Sequence, residues 1–418
     1  MSSTKSSKAW PLPMAEPEEV GFSSERLARI CPAMQKYIDE QKLPCMITLV
    51  ARHGKIVHFE AVGYMDVESK QPVKRDAFFR LYSSTKPITG VAAMILYEDG
   101  LLNLDDPVSK FIPAFKNPVV SNIGAPNVPA RREITVRDCL RNTTGLATAL
   151  LPIQTGTQYR DILIRDGLPA GPEEKQASTI REGVENLARL PLKAHPGTEW
   201  GYHAGYPVVG VVIETASGMT LEDFYRERIF KPLKMKDSSF YLPEGQLDRF
   251  TVCYRPQRDG EEWKLVVVDR PETSEKVKGS KTWFDAGGGR GGVLSTVSDY
   301  ARFAQMLLNG GELDGARILG RRTVELMTSN HTRDIPIPML GHGFGFGIGV
   351  GVRVESKGNP LIRSVGSYSW GGAAGTGYFV DPREDMFAIY FTQLMGTGMT
   401  TDNPYGRDLE RLVYQALI

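Results

Sequence analysis

The chain has 418 residues, 41% of them hydrophobic and 24% charged, enough for a well-buried core spread over two lobes and too apolar for a disordered chain. Its 50 basic and 49 acidic residues leave a net charge of +1, which gives no electrostatic basis for binding nucleic acid or an anionic membrane and points to neutral or weakly charged small molecules. Cys31, Cys45, Cys139 and Cys253 lie far apart, and the histidines do not fall at ligand spacing, so buried reduced thiols are expected and neither a disulfide framework nor a metal site is.

Residues 1–20 read as a flexible tail without the apolar run of a signal peptide, and no later stretch is long enough to span a membrane, so a cytoplasmic location is expected. From Ser24 to Gln41 the apolar residues Leu27, Ile30, Met34 and Ile38 form the stripe of an amphipathic helix. Met46 to Arg52 and Ile56 to Tyr64 are β-rich runs joined at His53-Gly54-Lys55, the pattern of an antiparallel hairpin.

Next comes Ser83-Ser84-Thr85-Lys86, approached by the extended apolar run Ala77 to Tyr82 and followed by Ile88, Val91, Ala92, Ile95 and Leu96 at helical spacing up to Gly100. Residues i and i+3 share a helix face, so Lys86 is brought to the Ser83 hydroxyl: a nucleophile with its base. The same four residues occur at Ser2 to Lys5, but in a polar stretch with no helix to hold them.

Helical signals continue at 86–99, 136–142, 179–189, 206–217 and 220–229, and predominate to about residue 280. Residues 146–178 carry little periodicity and suit a lid or pocket wall as well as a plain surface loop; 240–285 is a second expected wall. Thr296 and Asp299 predict a capping box for a helix at 297–308. Strand patterns return at Phe344 to Val354, Gly377 to Val380 and Met386 to Thr392, so both ends of the chain build one sheet, and a last helix is expected at Asp408 to Leu417.

Two further segments matter chemically. A Gly-bounded loop, Gly197 to Gly205, places Tyr202 just ahead of a helix, and Ser369 to Thr376 is a run of small residues around Trp370 that would let a ligand approach backbone closely. Each has a plain structural reading, as a loop tyrosine and as a β-bulge.

Taken together, Ser83-x-x-Lys86, the run Pro196 to Tyr202, Gly288 to Thr296, and Trp370-Gly371-Gly372-Ala373 followed by Val380-Asp381-Pro382 resemble the serine β-lactamase and penicillin-binding-protein superfamily, in its class C-like branch that includes the family VIII carboxylesterases. That resemblance implies an α+β fold, with a central antiparallel sheet flanked by helices in a lobe of residues 21–85 and 285–418, and a mostly helical inserted lobe at 86–284. It implies Ser83 as nucleophile, Lys86 as base and Tyr202 as proton relay, an oxyanion hole from the N–H groups of Ser83 and Ala373, and a pocket lined by Trp370, Gly371, Gly372 and His203, with no cofactor.

The departures from β-lactamases are informative about substrate. Tyr202-His203-Ala204 stands where those enzymes have Tyr-x-Asn, and Trp370 where they have the lysine of Lys-Thr-Gly, so a donor without charge replaces the group that pairs with a β-lactam carboxylate. No Gly-x-Ser-x-Gly elbow occurs, which disfavours an α/β-hydrolase. The expected activity is hydrolysis of esters with small to medium acyl groups. Acyl transfer to an alcohol or amide or β-lactam cleavage at the same site is the alternative, and a non-catalytic penicillin-binding-like sensor the more distant one.

Overall fold

The structure is a computed structural model that describes residues 11–122, 125–146, 179–260, 262–278, 285–356, 361–396 and 403–418. The first elements are α1 (Ile30–Asp39), the strands β1 (Cys45–Arg52), β2 (Lys55–Asp66) and β3 (Gln71–Pro72), and α2 (Lys86–Glu98). Then come α3 (Gly205–Ser217), α4 (Val297–Leu308), β4 (Phe344–Phe346), β5 (Gly351–Arg353), β6 (Tyr368–Gly371), β7 (Gly377–Asp381), β8 (Met386–Phe391) and α5 (Pro404–Tyr414). Among the described residues the strands form one eight-stranded sheet in the order β4-β5-β6-β7-β8-β1-β2-β3. β1 pairs antiparallel with both β2 and β8, so the two ends of the chain meet at its centre.

Helices cover both faces. Met46, Val50, Met386 and Ala388 point at α1 and α5, where Ile30, Met34, Leu409 and Val413 meet them. Ile47, Leu49, Ala51, Phe387 and Ile389 point the other way, into the core shared with α4 and the helical lobe. Burial on both faces is why β1 and β8 are continuous apolar runs rather than alternating ones. Leu49, opposite Phe59 and Ile389, is fully buried; Leu49→Ala is expected to destabilise by about 2–5 kcal/mol in urea denaturation.

Several expectations are refined. Residues 11–20, assigned to a flexible tail, are packed: Leu12 is buried, Ala15 N–H donates to Ile56 O, and Pro17–Val20 forms a 3₁₀ turn. The single helix expected at 24–41 is split into Ser24–Leu27 and α1. Phe344 to Val354 is a tight hairpin rather than one strand, because Gly347 N–H bonds to Val350 O across the turn, and Gly349 (φ 86°) crosses the backbone of Lys86 and Pro87 where a Cβ would meet Lys86 O at 2.7 Å.

The segment read as helical to about 280 contains a β-hairpin, Cys253–Asp259 with Glu262–Asp269, that docks on the sheet lobe through Tyr254 N–H to Gln393 O and Tyr254 OH to Asp66. At 296–299 only half the capping box forms. Thr296 accepts from Asp299 N–H, but the Asp299 carboxylate turns instead to Asp237 N–H at 2.7 Å and Ser238 Oγ at 2.9 Å. The last helix starts earlier than expected, at Pro404, because Asn403 caps it by accepting from Gly406 N–H.

Candidate active site

The short strand Phe79–Arg80 pairs with Leu294–Ser295, and the chain then reverses at Tyr82, whose φ of 47° is left-handed, into a 3₁₀ turn that runs on as α2. Such a conformation is unfavourable for a non-glycine residue and persists only where surroundings enforce it. They do so through buried polar anchors. Ser84 Oγ lies 3.1 Å from Thr376 Oγ1, Tyr300 OH donates to Ser84 O, Thr85 Oγ1 accepts from Val293 N–H, and Thr89 Oγ1 donates to Ala286 O. Ser83, the one member of the turn aimed at the site, is 6% exposed.

The Gly-rich run lies against this turn. A Cβ on Gly288 (φ 86°) would meet Tyr82 O at 2.0 Å and Ser83 N at 2.8 Å, and one on Gly292 would meet Thr85 Oγ1 at 2.3 Å. Gly288→Ala must therefore displace the Tyr82–Ser83 peptide. A fall in kcat of about 10²-fold, with a smaller loss of Tm, is the expected result of assaying that variant.

Lys86, at the start of α2, is fully buried. Its Nζ donates to Ser83 Oγ at 3.1 Å and to the carbonyl of Gly287, and lies 3.1 Å from His203 Nδ1. The Tyr202 and Tyr206 rings flank it, their centroids 4.6 and 5.2 Å from Nζ. Burial lowers its pKa to about 7, against the pull of the Asp285 carboxylate. Asp285, also buried, is held by Gly287 N–H at 2.6 Å; burial raises its pKa, opposed by that bond and by Lys86 and Lys276. Lys276 braces the loop by donating to Phe240 O at 3.2 Å and Gly292 O at 2.5 Å.

Tyr202 and His203 come from the turn before α3. Gly201 N–H donates to Asn142 O and His203 N–H to Asn142 Oδ1, a clamp that holds His203 at φ 85°. Burial pushes the Tyr202 phenol well above its ordinary pKa, with the Ser83 and Trp370 side chains beside it pulling the other way, so at neutral pH it is a proton donor. Trp370 on β6 packs edge-on against Phe346 at 4.9 Å and tilted against Tyr202 at 5.7 Å, while Trp200 stacks on Tyr202 at 5.6 Å. These four rings make one apolar wall beside Ser83.

The turn after β6 is bolted to the nucleophile turn. Thr376 Oγ1 donates to Leu81 O at 2.9 Å, Gly372 N–H to Thr376 O at 2.7 Å, and a Cβ on Gly372 would meet Leu81 O at 2.1 Å. On the other side, Ala373 O accepts from Gly396 N–H. The first bond of the 3₁₀ turn runs from Ser84 N–H to Leu81 O, which leaves the Ser83 N–H ahead of the ladder.

The structure thus brings Ser83, Lys86, Tyr202, His203 and Trp370 together. It sets His203 against Lys86, not only along the pocket. Asn142, Asp285 and the Gly287 carbonyl escape sequence reasoning; the one available sign is Asp285 standing two residues before a Gly-rich run. Residues 147–178 of the expected lid lie outside the described residues. Within 240–285, the described residues Lys276 and Asp285 support the loop around Gly287 to Gly292.

Comparison with known proteins bears on the family and the fold. The β-lactamase family matches residues 31–411. Protein Rv1367c of Mycobacterium tuberculosis is 31% identical over 377 residues, 86% of this chain and 88% of that one. Esterase EstB of Burkholderia gladioli is 29% identical over 89% of this chain and 92% of its own length. EstCE1, described as a hydrolase with promiscuous acyltransferase activity, superposes with a TM-score of 0.77 at 27% identity, over 93% of this chain and 99% of that one. A match over nearly the whole chain, on a fold with a large antiparallel sheet between helices, shows that the chain belongs to the β-lactamase family of the serine β-lactamase and penicillin-binding-protein superfamily.

Proposed function

We propose that the chain is a carboxylesterase that hydrolyses esters of small to medium acyl groups through an acyl-enzyme on Ser83. The observation that carries this reading is the fully buried Lys86 amine 3.1 Å from Ser83 Oγ, with a pKa lowered to about 7 so that a large share is neutral at physiological pH. Lys86 takes the hydroxyl proton as Ser83 Oγ bonds to the ester carbonyl carbon. The oxyanion is received by the N–H groups of Ser83 and Ala373, each such donor being worth roughly 3 kcal/mol. Tyr202 then protonates the departing alkoxide and is reprotonated by Lys86. Water resolves the acyl-enzyme by the reverse path.

Substrate choice follows from what faces Ser83. Trp370, Gly371, Gly372, the Trp200–Phe346 wall and His203 offer aromatic surface and backbone, and Trp370 supplies no cation for a β-lactam carboxylate. A p-nitrophenyl ester series run beside nitrocefin tests this. Efficient ester turnover with nitrocefin cleavage at least about 10²-fold weaker is expected, whereas comparable rates would remove the argument from the missing charge.

Acyl transfer to an alcohol is a second reading, favoured by the 27% identity to EstCE1, which is described as having promiscuous acyltransferase activity. Adding excess alcohol to the ester assay and measuring the transferred ester separates the two.

A further inference from the structure

Lys86 Nζ has three near neighbours at hydrogen-bond distance: Ser83 Oγ, the Gly287 carbonyl and His203 Nδ1. As an ammonium it can donate to all three. As the neutral amine that removes a proton, it has two N–H bonds and one lone pair, and the direction of that lone pair decides whether it is a base toward Ser83. Gly287 O can only accept, so it always takes one N–H. If His203 Nδ1 takes the other, the lone pair is left facing the Ser83 hydroxyl; without that acceptor, the amine can rotate its second N–H onto Ser83 Oγ and its lone pair away.

We propose that His203 is a positioning residue that, by accepting a hydrogen bond at Nδ1, aims the lone pair of neutral Lys86 at Ser83. The inference rests on the proposed roles of Ser83 and Lys86. Geometry fixes the imidazole for the task. Asn142 holds the backbone at φ 85°, and the Gly287 loop packs so close to the ring that a Cβ on Gly287 would meet His203 Cε1 at 2.9 Å. Burial and the adjacent Lys86 keep His203 well below its ordinary pKa, so the ring is neutral, and the tautomer with its proton on Nε2 is the one that lets Nδ1 accept from Lys86 Nζ at 3.1 Å. The valence balance is simple: the Ser83 proton moves to Lys86 as Oγ bonds to carbon, and His203 gains and loses no proton. The chain lacks the amide of a Tyr-x-Asn motif, with Ala204 in its place, and His203 supplies an acceptor from the neighbouring position.

The test compares His203→Gly with His203→Asn, two residues that tolerate positive φ, so that backbone strain is not what differs. Glycine removes the acceptor, and asparagine keeps one at the δ position. With a p-nitrophenyl ester, His203→Gly is expected to lower kcat by about 10²-fold with little change in KM, and added imidazole is expected to restore part of the rate. His203→Asn should recover most of the loss. Wild-type kcat in His203→Gly, or equal losses in both variants without imidazole rescue, would overturn the proposal. Ser83→Ala run in parallel separates the two levels: if it is inactive while His203→Gly is fully active, only the role of His203 fails, and if it is fully active, the acyl-enzyme reading fails with it.

Discussion

Ser83→Ala is expected to abolish ester turnover, by roughly 10⁴-fold or more, while leaving the unfolding transition within about 1 kcal/mol of the parent. The side chain is small and nearly buried, and the turn that carries it is anchored by Ser84, Thr85 and Thr89 rather than by Ser83 itself. Removing the hydroxyl therefore takes away the group that forms the acyl bond without disturbing what positions it. Measuring kcat with p-nitrophenyl esters and Tm on the same preparation checks both halves.

Lys86→Met is expected to cost a comparable share of the rate, at least about 10²–10⁴-fold, and to change how stability depends on pH. Lys86 has a folded pKa of about 7, below its unfolded value of about 10.4, with burial the largest cause. Below pH 7 the lysine is charged in both states, and the folded protein bears the full penalty of a buried ammonium. Between about 7 and 10.4 the unfolded chain binds the extra proton, so wild-type stability gains from this group as pH rises, and above that range the penalty is gone. The methionine variant lacks this dependence, so its stability relative to wild type is expected to be highest below pH 7 and to fall as pH approaches 10. Activity carries the same signature from the other side: wild-type kcat/KM should rise with pH through a midpoint near 7, as the amine becomes neutral. Urea titrations at several pH values, with the pH–rate profile, test both.

Much of the site is legible in the chain itself. Ser83, Lys86 and Tyr202 stand in local patterns, a strand-to-helix junction and a Gly-bounded loop ahead of a helix, and local patterns are what sequence periodicity reports. The central strand Cys45–Arg52 and the closing strand Met386–Phe391 are readable too, since burial on both faces leaves largely apolar runs. Interactions between distant segments are not readable. Nothing in the sequence around Asn142 says that its side chain will hold His203, 61 residues away, and nothing around Gly287 says that its carbonyl will meet Lys86, 201 residues earlier. The break of Phe344 to Val354 into a hairpin is hidden likewise, because alternating glycine and apolar residues fit a strand as well as a turn over the backbone of Lys86. The half-formed cap at Thr296 shows the same limit: Asp299 fits the local rule but commits its carboxylate to Asp237 and Ser238, tertiary partners that local sequence cannot name.

The most direct test of the central claim is to quench the protein during turnover of a p-nitrophenyl ester, weigh it intact by mass spectrometry and map the modified peptide. A mass increase equal to the acyl group, located on Ser83 and absent from Ser83→Ala, is the predicted result. Steady ester turnover with the acyl group on another residue, or undiminished turnover in Ser83→Ala, would contradict it.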